Sequence, residues 1–293
     1  MGSSVAPAPG PGTAVTVVVL VAVFAVAATG VLRLQGLPLA RGVPGAAVRA
    51  LLQLLAVAGL ITAVLGSVPA SLGLVAVMAG VATVTAARRV TRHRSGALLG
   101  VPVLIGPAAL LAVLVLTGLV PWRGAALVPA AGILIGGAMT VTGQAGRLSA
   151  NALRDSWDVW EQALALGLSR RTATLLVIRA PAGNALLPVL DQTRTVGVVT
   201  LPGTFVGLLL GGASPLVAAG AQLVVLVGLV LVEAVALGLT TEAVARGLIR
   251  IDPGQDRTHQ DRDGAAAPGD AGAASTDPGP AGTAGTKTPG PGA

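Results

Sequence analysis

The chain is 293 residues long, contains no cysteine and carries a formal net charge of +7 at pH 7. Hydrophobic residues make up 53% of it and charged residues 11%, against about 25% charged in soluble domains, and the mean hydropathy is +0.82. This composition excludes a soluble globular domain and defines an integral membrane protein, while the cysteine count excludes a disulfide framework, a thiolate metal site and thiol chemistry. A sequence pI of 11.6 would suit a nucleic-acid binder. The arginines, however, sit in short clusters beside apolar runs, so membrane topology accounts for them and no nucleic acid is expected as a partner.

Residues 1–12 are small, rich in Pro and Gly and free of charged side chains, and are expected to be disordered. A hydrocarbon core about 30 Å thick needs roughly 20 apolar helical residues at about 1.5 Å per residue. Seven stretches qualify, at about Thr13 to Leu32, Val48 to Leu65, Ser71 to Ala87, Leu98 to Val120, Ala125 to Leu148, Val189 to Gly211 and Leu216 to Leu239. The first is read as a span although Ala25, Val26 and Ala27 imitate a signal-peptide cleavage site, because no basic residue precedes it and it is long for such a core. Residues 13–250 thus form a transmembrane domain, and 251–293, rich in Gly, Ala, Pro, Asp and Thr, form a tail expected to be disordered.

Basic residues are retained on the cytoplasmic side. With these spans, eighteen of the nineteen fall on one side and only Arg123 on the other. The expected fold is therefore all-α and polytopic, with seven spans, the N-terminus outside and the C-terminus cytoplasmic. The lipid bilayer is its expected surroundings, as a multi-pass membrane protein.

The longest connection, 149–188, has helical amphipathicity of its own. From Leu153 to Leu166, Trp157, Trp160 and Leu164 recur at helical spacing while Arg154, Asp155, Asp158, Glu161 and Gln162 take the other face. Gly167 suits a helix C-terminus and Ser169 can cap a second helix running toward Pro181. Two readings fit: a rigid element with tryptophan anchors for a soluble partner, or an interfacial helix with its aromatics at the headgroups.

The string that follows, LLPVLDQTRTVGVVTLPGTFVGLLLGGASP, holds Pro188, Asp191, Arg194, Thr195, Val196, Gly197, Leu201, Pro202, Gly203, Gly207 and the run Gly212 to Pro215. It resembles the signature of the bacterial ABC-transporter permeases known as iron exporters, relatives of the plant aluminium-tolerance permeases. Gly132, Gly136, Ala138 and Met139 extend the likeness upstream. Glu161, Ala163 and Gly167, with Ile178 and Pro181, also match the cytoplasmic loop of ABC permeases, although Gln162 and Ala180 depart from it. The resemblance implies that Trp157, Trp160, Glu161, Ala163 and Gly167 couple the chain to a cognate ATPase subunit, with two permeases pairing as a homodimer. The chain lacks a GxxxxGK[ST] loop, and its only lysine is Lys287 in the tail. It is therefore expected to bind no cofactor, with ATP hydrolysed on the separate chain.

Asp191 and Arg194, three apart at the entry of the sixth span, share a helical face, either as a helix-end pair or as a relay from the coupling loop. Pro202 is expected to kink or break that span, and Gly203, Gly207 and Gly211 to line a strip for close packing by another helix, such as the fifth span, for helix sliding or for a dimer seam. Glu233, about midway through the last span, is a functional hypothesis by default: a proton or cation site, or a partner for a threonine or arginine. Thr140, Thr142, Gln144, Thr200, Thr204 and Gln53 are the other polar residues within apolar sequence. No metal-ligand set is legible, because both histidines fall in cytoplasmic sequence. Gly137 stands where relatives commonly carry Asn, and Thr204, Phe205 and Leu208 replace their Met- and Gln-containing stretch. The function implied is the permease subunit of an exporter of iron, another metal or a small solute, with a proton- or ion-coupled carrier centred on Glu233 as the alternative. A membrane scaffold is a third reading; an enzyme is not expected, since no acid/base dyad is visible.

Overall fold

The computed structural model describes residues 11–91 and 93–250. The readings made of residues 1–10 and of the 251–293 tail therefore fall outside the described residues. Within them the chain forms α1 (Pro11–Leu34), α2 (Gly42–Leu65), α3 (Val68–Val90), α4 (Gly100–Leu116), α5 (Gly124–Asp155), α6 (Trp157–Ala165), α7 (Arg170–Gly183), α8 (Leu187–Thr195), α9 (Gly203–Leu210) and α10 (Pro215–Ala245). Short 3-10 turns at Pro38–Arg41, Arg94–Leu99 and Asn184–Leu186 join some of them. One isolated bridge, between Val196 and Thr200, is the only strand-like pairing among the described residues. Seven helical stretches are long and apolar enough to cross a membrane: Val15–Leu34, Pro38–Gly59, Val68–Val90, Arg94–Leu116, Gly124–Asp155, Arg170–Thr195 and Pro215–Ala245.

The helix boundaries follow from local chemistry. Ser67 in extended conformation with Pro69 in the first turn starts α3, and Ser214 with Pro215 starts α10 in the same way. Proline is tolerated there because its missing N–H would be unpaired in any case. α5 is the central helix and touches α3, α4, α7 and α10. Its residues Leu134 and Ala138 pack with Val189 of α8 and with Leu229, Val232 and Ala236 of α10. Ala131 and Ile135 meet Ala82 and Ala86 of α3 and Val103 of α4. Lipid is as apolar as leucine, so such contacts gain from close approach rather than from excluding water, and small residues permit it. Gly106 is one example, since a Cβ there would lie 3.2 Å from the Val232 carbonyl oxygen. α1 and α2 lie outside this core, and Val17, Leu20, Phe24, Leu52 and Leu55 remain exposed along them, as lipid-facing residues should.

The count of seven matches expectation, but the sixth stretch does not lie where hydropathy put it. In place of one span over 189–211, the long apolar stretch runs from Arg170 to Thr195. The chain then turns through 196–202, and 203–210 forms only the short α9. Much of the expected 149–188 loop is accordingly helix packed in the bundle. α7 buries Ala173, Thr174, Ile178 and Ala182 while Arg170, Arg171 and Arg179 stay exposed. Those arginines, two of them in its first turn, lower its average hydropathy.

One end of the bundle gathers the ends of α3, α5 and α10 and the start of α7. Thr91 Oγ1 donates to the Arg250 carbonyl at 2.8 Å, and the Arg250 N–H donates to Ser95 Oγ at 3.2 Å. Arg88, Arg94, Arg170, Arg171, Arg246 and Arg250 therefore share an end. Arg123, before α5, lies at the other, and so does Arg194 at the end of α8, which the expected spans had put on the cytoplasmic side.

Candidate functional site

At the basic end α5 stops at Asp155 and α6 begins at Trp157, so the amphipathic helix expected from 153 to 166 is two helices broken at Ser156, whose φ and ψ are −124° and 39°. α6 then ends as its sequence dictates. The N–H of Gly167 donates to the Leu164 carbonyl at 2.9 Å and that of Leu168 to Ala163 at 3.1 Å, a paired closure that needs a left-handed residue. Gly167 supplies it with φ +86°. Ser169 caps α7, its Oγ accepting from the Thr172 N–H at 3.2 Å. Helix, glycine, capped helix is the arrangement legible in the sequence.

The two tryptophans of this elbow have different surroundings. Their ring centroids lie 4.6 Å apart with planes inclined by 34°. Trp160 Nε1 donates to Thr174 Oγ1 of α7 at 3.0 Å, and the Arg170 guanidinium lies 6.0 Å from its ring centroid. Trp157 is 42% exposed and its Nε1 donates to Glu161 Oε1 at 2.9 Å. Trp160 thus pins α6 to α7, whereas Trp157 remains available. Ala163 is the one buried residue of α6. Val159 of α6, its C-cap Leu166 and Leu176 of α7 are also exposed, Leu166 at 82%. Sequence reading passed over Leu166 because a leucine beside a helix-ending glycine resembles a core residue.

A second feature missed in the sequence ties this elbow to the last helix. The Glu242 carboxylate accepts from Arg171 Nε at 2.6 Å and Nη2 at 2.8 Å, and from Arg246 Nε at 2.6 Å. Only the Arg246 contact, at i+4, is readable from spacing.

The signature residues lie at the opposite end and turn the chain. Asp191 and Arg194 form the expected i,i+3 pair at 3.2 Å, with both side chains about two-thirds exposed. Thr195 Oγ1 donates to the Asp191 carbonyl at 2.9 Å. Gly197, at φ +81°, donates its N–H to the Thr200 carbonyl at 2.8 Å, closing a tight turn that L side chains adopt only under strain. Of the kink or break expected at Pro202 the structure has the break: the helix stops at Thr195, and Pro202 stands ahead of α9 as its extended N-cap. Among the described residues no helix packs on the expected glycine strip, for a Cβ on Gly203 or Gly207 would meet nothing within 4 Å.

Between the two ends lies Glu233, 7% exposed and the one charged residue among the buried described residues. It faces a notch at Gly137 of α5, where a Cβ would stand 2.7 Å from Glu233 Oε1 and 2.6 Å from Leu229 Cδ1. Of the other polar candidates, Thr140 is exposed and bonded to the Gly136 carbonyl at 2.9 Å, and Thr200, Thr204 and Gln53 are exposed. Thr142 is buried with its hydroxyl unpartnered. Among the described residues no group of three His, Asp or Glu side chains could hold a metal ion. The expected residues therefore form an elbow, a core carboxylate and a turn rather than one pocket.

The fold and these features define a polytopic helical membrane protein with a tryptophan-bearing elbow at its basic end. The chain belongs to the uncharacterised protein family UPF0014, whose model matches residues 15–249. It is 39% identical over 148 residues to Protein ALUMINUM SENSITIVE 3 of Arabidopsis thaliana, covering 50% of this chain and 54% of that one. To the UPF0014 membrane protein STAR2 of Oryza sativa subsp. japonica it is 40% identical over 148 residues, covering 50% and 52%. To the "Probable iron export permease protein FetB" of Escherichia coli (strain K12) it is 32% identical over 126 residues, covering 43% and 48%. The matches span about half the length of these curated relatives. No solved structure matches the chain.

Proposed function

We propose that this chain is the membrane-spanning permease subunit of an ABC transporter that exports a metal ion or another small solute, driven by an ATPase on a separate polypeptide. The observation that carries the reading is the elbow. α6 is a short helix that, with its C-cap, leaves Trp157, Val159 and Leu166 exposed at the end that the distribution of basic residues assigns to the cytoplasm. Apolar knobs in an aqueous, basic setting suit a groove on a soluble partner. Iron enters through the name of one relative, and the chain binds no cofactor in this reading. Two permeases would pair, and ATP binding by two partner subunits would draw the elbows together and move α5, α7 and α10. The setting is a bacterial cytoplasmic membrane.

The test is co-expression with a candidate ATPase encoded beside it, purification and reconstitution. Nucleotide-dependent transport, lost with Trp157→Ala and Leu166→Ala together with ATPase co-purification, supports the reading. Transport by this chain alone, without nucleotide and collapsing with the proton gradient, replaces it with the second reading, an ion-coupled carrier. The buried Glu233 is what favours that alternative.

A further inference from the structure

We infer that the notch between Glu233 and Gly137 is a seat for one exchangeable positive charge, a proton or a cargo cation, in the core of the bundle. The seat stands whichever energy source drives the chain. A carboxylate near the middle of a span is costly unless paired or neutralised, and pairing is what the structure withholds. Among the described residues no side chain donates a hydrogen bond or forms an ion pair to Glu233. The helices packed on α10 explain why. α4, α9 and the Asn184–Leu186 turn contain no ionisable side chain. α5 contributes Arg147, Arg154 and Asp155, α7 Arg170, Arg171 and Arg179, and α8 Asp191 and Arg194, all of them toward the bundle ends. On α10 itself the other acid, Glu242, is occupied by Arg171 and Arg246.

The surroundings also make room for the group. Gly137 is the residue that lets the carboxylate lie against the α5 backbone, since a Cβ there would stand 2.7 Å from Oε1. Leu134, Ala138, Leu229 and Val232 enclose this level of the bundle in apolar surface. A permanent counter-charge would have to be a built-in arginine or lysine, and among the described residues none pairs with it. Neutralisation must then come from a mobile species. One carboxylate is too little for a resident hard divalent ion, which takes six or more oxygen ligands, so a bound cation would keep most of its own shell.

Hydrophobic carbodiimide reacts with the protonated form of a carboxyl in an apolar site, and a cation held on that carboxylate shields it. Purified chain in lipid nanodiscs should be labelled at Glu233, read by peptide mass, and Glu233→Gln should abolish that label while eluting normally in size exclusion. Labelling should slow about tenfold per pH unit once the group has titrated. Gly137→Ala should displace the carboxyl and alter the labelling rate, with Gly203→Ala as a silent control. Slowing by Mn²⁺ or Na⁺ at fixed pH assigns the seat to cargo, and slowing by pH alone assigns it to a proton. Labelling indifferent to pH and to both cations, or no labelling of Glu233 at all, overturns the inference. None of these readouts needs an ATPase, so the fate of the proposed function does not decide them.

Discussion

Arg171 and Glu242, 71 positions apart, meet in a two-pronged contact of 2.6 and 2.8 Å that joins the start of α7 to the end of α10. α7 follows the elbow directly and α10 carries Glu233, so this contact ties the helix behind the exposed knob to the helix that bears the buried carboxylate. Arg246 approaches the same carboxylate at 2.6 Å.

Breaking that link should uncouple more than it unfolds. All three side chains are partly or largely exposed, and exposed ion pairs add little stability while salt screens them. Glu242→Gln is expected to lower transport per ATP hydrolysed with little change in melting temperature. The exchange Arg171→Glu with Glu242→Arg should recover part of it, whereas equal loss in the single and exchanged variants would leave the contact without a coupling role.

The two tryptophans should separate by phenotype. Trp160→Ala removes packing on α7 and leaves the buried Thr174 hydroxyl unpaired, a loss on the order of 2 kcal/mol; Trp160→Phe, which keeps most of the ring, should lose about 1 kcal/mol. Trp157→Ala should keep the melting temperature and weaken ATPase capture. Thermal unfolding in detergent beside co-purification distinguishes them.

Left-handed and open glycines should respond differently to the same change. Gly167→Ala and Gly197→Ala force a Cβ into positive φ and should each destabilise by about 1–2 kcal/mol. Gly203→Ala and Gly207→Ala should be tolerated within a protomer, because nothing lies within 4 Å of the added methyl group. If the latter two instead abolish assembly while leaving the monomer folded, the open face of α9 is covered by another chain.

Gly146 and Val90 form a testable close approach, since a Cβ on Gly146 collides with both methyl groups of Val90. Gly146→Ala should destabilise by about 1–3 kcal/mol despite alanine's better helix propensity. Adding Val90→Ala should recover most of it, as a double-mutant cycle would show.

Orientation can be read directly because the chain has no cysteine of its own. Leu166→Cys at the elbow should react with a membrane-impermeant maleimide only in inverted vesicles. Val198→Cys in the opposite turn, 91% exposed, should react only in right-side-out ones. The reverse pattern would invert the assignment of the basic end.

Hydropathy, arginine placement and turn chemistry made much of this molecule legible. The all-helical class, the count of seven stretches, the Gly167 stop, the Ser169 cap and the Asp191–Arg194 pair are all consequences of neighbours along the chain. The sixth stretch was misplaced for a physical reason: α7 carries three exposed arginines, two of them in its first turn, and they lower the average hydropathy of a helix that also buries Ala173, Ile178 and Ala182. Pro202 was expected inside a helix because the flanking residues are apolar. In the structure it ends a turn opened by Gly197.

What the sequence alone determined is therefore whatever depends on composition and on spacing within a helical turn: a helical membrane protein, its crossings in number and its caps. Only tertiary structure decided which of two tryptophans is free, that Arg171 reaches Glu242, and that Gly137 opens the notch for Glu233. Those are contacts between helices distant in sequence, and they depend on how bundle packing rotates and staggers each helix against the next, which no local pattern encodes.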